Sequence, residues 1–206
     1  MANTRADLRT KVYEKLGLPT TDGLITATIV NSAINAALEN YSSNGVWPWL
    51  VSEVAINTVA GTATYALPTN HVRTLYLLDT SAFRELNYRP RRMLASYGTL
   101  TGKPLYYCYV GMNLRLAPTP DGVYALTHGI RIPDPELTAD GSIPLIPTQY
   151  SDYIVTIAAR LLAVRLKDTE LLNILRGEER AWEQRLERVQ IQTSAYGRPN
   201  TALRGI

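Results

Sequence analysis

The chain has 206 residues, with 21 Lys and Arg against 18 Asp and Glu and a pI near 9.0. That length suits one domain or one domain with a large insertion, and it buries about 70% of its extended surface without staples. The net charge of +3 is mild for a nucleic-acid binder. The single cysteine, Cys108, excludes an intramolecular disulfide. No run approaches ~18 apolar residues and no apolar stretch follows the N-terminal charges, so neither a membrane span nor a secretory leader is expected, and a cytosolic product is.

Thr4, with Asp7 three residues on, predicts a capped first helix. Leu8, Val12 and Leu16 share one face, and Gly17 is the expected stop. Pro19 to Gly23 reads as a loop. A second helix is expected from about Leu24 to Tyr41, with Ile25, Ile29, Ala33, Ile34, Ala37 and Leu38 on its apolar side. Ser42 to Gly45 ends it. Trp47 and Trp49 follow, and read either as a plug at the joint between these helices and the next region or as an exposed subunit anchor.

From Leu50 the period changes to two. Val54 and Ile56 alternate with Glu53 and Ala55, and Ala60-Gly61 marks a turn. Further strands are expected at Thr64–Leu67, His71–Thr80 and Phe83–Tyr88. Pro90 starts a short helix through Tyr97, with Met93 and Leu94 inward. Leu105–Val110 and Leu114–Ala117 form the clearest hairpin, and Val123–Ile132 is the last strand. The connections are too short for parallel crossovers, so a mostly antiparallel sheet is expected.

The linker from Glu136 to Pro147 carries Ile143, Leu145 and Ile146 as expected pins, and Thr148 is the expected cap of the helical return. Two helices then meet at Asp168-Thr169. The first has Tyr153, Ile154, Ile157, Ala158, Leu161, Leu162 and Val164 on its apolar side. The second has Leu171, Leu175, Trp182, Leu186 and Val189 on one stripe. Its other side carries Arg176, Glu179, Arg180, Glu183 and Arg188, spaced for Arg176–Glu179 and Arg180–Glu183 pairs. From Tyr196 on, Gly197, Pro199 and Gly205 should stop the helix. Leu203 and Ile206 beside Arg198 and Arg204 leave two readings, a frayed end or an arm that orders on a neighbour.

The expected class is therefore α+β. Two N-terminal helices (1–49) and two C-terminal ones (136–195) make a bundle of about four. A mostly antiparallel β domain (50–135) is inserted between them, and an extended arm (196–206) follows.

The chemistry of catalysis is missing. His71, His128 and Cys108 have no metal-ligand spacing, no serine sits in a nucleophile elbow, and Asp134, Glu136 and Asp140 fail the calcium-loop pattern. Gly98 to Lys103 has one residue too few between its glycines for a phosphate loop, and Pro104 follows the lysine. No catalytic residue, metal or cofactor is assigned, and no enzyme is expected. From Arg84 to Lys103, however, five basic residues stand against Glu85 alone. The cluster Arg89, Arg91 and Arg92 reads as a solvated face or as a contact to phosphate or an acidic partner.

Asn44-Gly45-Val46-Trp47 after two helices, Tyr65-Ala66-Leu67-Pro68 closing an opening β hairpin, the helix after Pro147, and Glu178-Glu179-Arg180-Ala181-Trp182 in the last helix before an extended tail form one layout. The chain resembles the head-to-tail adaptor, or connector, proteins of tailed bacteriophages, in particular the tail tubular protein A or head-completion group of short-tailed phages. The resemblance implies a structural virion protein of the neck or tail, made in the host cytoplasm and free of membrane. It implies a ring of about twelve copies beneath the portal protein that continues the DNA channel. Carried onto this chain, the portal-binding arm would use Tyr196, Arg198, Asn200, Leu203, Arg204 and Ile206. Arg180, Arg185 and Arg188 would make ring contacts or line the channel. Arg89, Arg91 and Arg92 would meet tail components such as nozzle or fibre proteins, or phosphate. Double-stranded DNA would pass without sequence-specific contact. Trp47, Trp49 and Trp182 would be the structural joint. The alternatives are another neck or tail-completion protein, and a nucleic-acid-binding module using the Arg89–Arg92 cluster.

Overall fold

A computed structural model of the chain describes residues 3–97 and 100–197, with side chains up to residue 189. It separates into a helical unit, made by the chain up to Leu50 together with the chain from Pro133, and a β unit, Val51–Ile132. The class is α+β, and along the chain N- and C-terminal helices precede and follow a mostly antiparallel strand region.

In the helical unit, α1 (Arg5–Leu16) starts with a reciprocal cap. The Asp7 amide donates to the Thr4 hydroxyl, and the Thr4 amide donates to the Asp7 carboxylate. Gly17 ends it at φ 65°, a conformation that costs glycine little. The second helix, α2 (Ala27–Ser43), begins three residues later than its apolar pattern predicts. The cause is Asp22, whose carboxylate takes the amides of Leu24 and Ile25 and holds them in a loop. Ile25 is buried all the same, and its carbonyl accepts from the Tyr13 hydroxyl at 2.8 Å.

A tight turn at Thr148–Tyr150 leads into α4 (Ser151–Leu166), so Thr148 begins that turn instead of capping the helix. Tyr153, Ile154, Ile157, Ala158 and Leu162 are buried as expected, but Leu161 and Val164 face outward. The linker is pinned by Leu137 and Ile146, while Ile143 and Leu145 are exposed. Arg5 and Arg9 both reach Asp140 at 2.8 Å, and Asn35 binds the backbone of Leu137, so the linker is tied to α1 and α2.

Lys167, at φ 58°, closes α4, and the Asp168 carboxylate accepts the Leu171 amide at 2.9 Å to start α5 (Thr169–Gly197). This helix passes through Tyr196, two residues beyond its expected end. Glu179 reaches Arg160 on α4 at 2.6 Å instead of Arg176 on its own helix, and Glu178 pairs with Lys15 of α1. Its carboxylates thus clamp α5 to the bundle.

Among the described residues, the β unit holds two four-stranded sheets. In the first, β1 (Val51–Asn57) pairs antiparallel with β8 (Ala125–Arg131), β8 with β3 (Arg73–Asp79), and β3 with β4 (Arg84–Glu85). In the second, β2 (Thr64–Ala66) lies on β7 (Asn113–Ala117), which forms the predicted hairpin with β6 (Tyr106–Val110). A two-residue parallel ladder adds β5 (Asn87–Tyr88) to β6.

Two expectations are corrected here. The opening hairpin is absent, because β1 and β2 lie in different sheets. Thr58 is held by the backbone of Gly122 and Tyr124, Gly61 donates to the Pro120 carbonyl, and Ala63 accepts from Leu116, so the connection crosses between sheets. The single strand expected at Phe83–Tyr88 is split at Leu86, which is buried among Leu77, Tyr107, Leu114, Leu116 and Leu126. A third detail also differs. Leu94 of α3 (Arg91–Leu94) is buried with Cys108 and Ala117, but Met93 is exposed.

Candidate functional site

Burial of an apolar stripe decides which side chains α5 leaves outside. Leu175 and Leu186 are buried, Leu171, Leu172 and Trp182 pack partly against the core, and Arg180, Arg185 and Arg188 are exposed. The Arg185 guanidinium lies 5.0 Å above the Trp182 ring. None of these three arginines has a carboxylate partner among the described residues. All three are exposed on a helix that Glu178 and Glu179 tie to the bundle, and Glu183 and Glu187 are exposed among them.

The tryptophans lie in the helical unit. Trp47 is buried, stacks on Tyr41 at 4.9 Å, and its indole N–H donates to the Tyr41 carbonyl at 3.1 Å. Trp49 is half-buried, lies 5.7 Å from Trp47 and 5.4 Å from Tyr150, and donates to the Tyr41 hydroxyl. Tyr153 meets Tyr41 edge-on. These rings hold the turn after α2 against the start of α4.

In the β unit, Pro90 starts α3 and brings Arg89, Arg91 and Arg92 to the surface together. Arg89 lies 5.6 Å above Tyr106, and Arg89, Arg92, Met93, Ser96, Tyr97 and Tyr106 line a shallow recess. These arginines also lack a carboxylate partner among the described residues. Nothing in the recess is poised for bond making. Its chemistry is that of anion contact with aromatic support.

The two histidines, far apart in sequence, are brought together, which their spacing does not reveal. Their rings are 5.7 Å apart, and both Nε2 atoms meet the Thr74 hydroxyl, at 3.0 Å from His71 and 2.7 Å from His128. Cys108 does not join them. It packs beside Leu94, where burial pushes its thiol pKa up. Among the described residues, no three of His, Cys, Asp and Glu are placed to hold a metal, and no helix is long and apolar enough to cross a membrane.

The fold also brings two acidic residues distant in sequence onto α2. Ser32, Asn35, Ala36 and Glu39, one turn apart along α2, line a recess with Asp134 and Glu136. Asp134 is buried. Its Oδ1 accepts the Leu145 amide at 3.0 Å, while its Oδ2 has no hydrogen-bond partner. Burial pushes its carboxyl pKa up, against the pull of the Leu145 and Ile146 amides. The helical spacing on α2 was legible in the sequence, but the return of residue 134 to it was not.

Of the arm residues, Tyr196 falls within α5, its side chain beyond those described, and Arg198, Asn200, Leu203, Arg204 and Ile206 lie outside the described residues. A family model described as SU10 adaptor protein matches residues 3–203. No curated protein matches the chain.

Proposed function

The chain belongs to the SU10 adaptor protein family, and on that premise we propose that it is a structural virion protein whose copies close into a ring. The ring joins the capsid portal to the tail and continues the DNA channel. The observation that carries this reading is the family match across residues 3–203, which takes in both units and most of the arm. The chain performs no catalysis in this role.

The parts divide as follows. The arm, Arg198, Asn200, Leu203, Arg204 and Ile206 with Tyr196 at its root, binds the portal. A ring of identical subunits needs two different faces that meet heterologously, and the arginine face of α5, through Arg180, Arg185 and Arg188, supplies ring contacts or lines the channel. The turn at Arg89, Arg91 and Arg92 meets an acidic tail component. The Trp47, Trp49 and Trp182 rings brace the helical unit internally. Double-stranded DNA passes without base readout, a role that suits the mild net charge of +3 better than tight binding would.

A second reading, phosphate contact by the Arg89–Arg92 turn, is favoured by its unpaired guanidinium groups beside Tyr97 and Tyr106. Sedimentation of the purified chain, alone and with its cognate portal ring, tests the main reading. A ring-sized species, or co-sedimentation with the portal at fixed stoichiometry, is expected. A monomer that never joins the portal contradicts it.

A further inference from the structure

The recess on α2 is lined by three acidic side chains, Glu39, Asp134 and Glu136. Glu39, Asp134 and Glu136 have no cationic partner among the described residues. Glu39 and Glu136 are exposed at its rim, and Glu136 is oriented by Asn35 at 3.3 Å. Asp134 is more than nine-tenths buried, lines the recess, and keeps Oδ2 without a hydrogen bond. A buried carboxylate oxygen left without a donor is costly, and positive charge brought to the recess lowers that cost.

Ser32 and Ala36, one turn apart and both exposed, are small side chains that α2 contributes to the recess on the N-terminal side of Glu39. Small side chains at such spacing let a second helix approach closely. The complementary element is α5, which exposes Arg180 and Arg188 eight residues apart, without carboxylate partners among the described residues and with Glu183 and Glu187 exposed between them in sequence.

We propose that the α2 recess of one copy receives the arginine face of α5 from a second copy, as the heterologous contact that propagates around the ring. This rests on the ring reading and names its two sides. Glu39, Asp134 and Glu136 are the acceptor, and Arg180 and Arg188 are the donor. Such a contact closes only if every subunit gives one face and takes the other.

Charge reversal on each side tests it. One full-length variant carries Glu39→Arg with Glu136→Arg, and another carries Arg180→Glu with Arg188→Glu. All four positions are exposed. Assembly is read by native mass spectrometry, with and without the portal ring, and folding by circular dichroism. The wild type should assemble, and each variant alone should lose assembly at least about tenfold. An equimolar mixture should regain it, because alternating subunits again set glutamates against arginines at positions 39, 136, 180 and 188 in every contact. A misfolded variant gains nothing from mixing.

If the wild type assembles and the reversed variants assemble equally well, this contact is wrong and the ring reading stands. If both variants fold but fail to assemble, and mixing restores nothing, the pairing is likewise wrong. A wild type that stays monomeric even with the portal overturns both.

Discussion

The ring of Tyr76 lies across Gly129. The two residues are register partners on β3 and β8, and a Cβ added at Gly129 would stand 2.3 Å from Tyr76 Cζ. The Tyr76 hydroxyl continues over the strand and donates to Glu53 on β1, on the far side of the same glycine. Burial, together with that carboxylate, pushes the phenol pKa up to about 12. Glycine is needed here for space. Gly129→Ala should destabilise the protein by about 1–3 kcal/mol. Most of that loss should vanish when Tyr76→Ala is already present. Urea unfolding of the two single variants and the double variant measures the coupling.

The histidine pair predicts acid sensitivity. Burial, and then the neighbouring His71, hold the His128 pKa down to about 4. The unfolded chain therefore takes up a proton first as pH falls below ~6.5. The contribution of neutral His128 is fully present above that value and is lost as pH falls through about 4. The loss is on the order of 3 kcal/mol. Burial also lowers the pKa of His71, in the same direction. Thermal unfolding should show a lower Tm at pH 4.5 than at pH 7, and His128→Gln should narrow the difference.

The aromatic stack predicts an ordered pair of effects. Trp47→Ala removes a buried ring, its stacking on Tyr41, and an indole hydrogen bond. It should cost about 3–5 kcal/mol. Trp49 is only half-buried, so Trp49→Ala should cost less, about 1–2 kcal/mol. Guanidinium unfolding followed by circular dichroism ranks them.

The Arg89–Arg92 turn is tested by salt. If it meets an acidic tail component, DNA affinity of the wild type should be weak, shallow in its salt dependence, and unchanged by Arg91→Ala with Arg92→Ala. A steep salt slope that the double variant flattens would assign the turn to phosphate.

Local signals in this chain were readable because they act over a few residues. Thr4, Asp7 and Gly17 bound the first helix as capping chemistry requires, and Gly111 sits at φ 60° between the two strands of the predicted hairpin. What failed was set by distant partners. Leu24 and Ile25 continue the apolar period of α2, and nothing local shows that Asp22 holds both amides in a loop. The stretch from Phe83 to Tyr88 has one continuous strand pattern, and only burial of Leu86 between Leu77 and Leu114 divides it between sheets. Glu179 was expected to pair within its helix, but Arg160 competes from α4. The exposed arginines on α3 and α5 were visible as charge in the sequence. The acidic recess was not, because Asp134 joins α2 only through the fold.

The arm is the part of the account on which portal attachment turns. Electron microscopy of the cognate portal ring mixed with full-length chain, and with chain lacking residues 196–206, tests it most directly. The account predicts a second ring seated on the portal with the full-length chain and bare portals with the truncated one. Equal decoration by both forms would contradict the arm's role, and no decoration by either would contradict the adaptor reading itself.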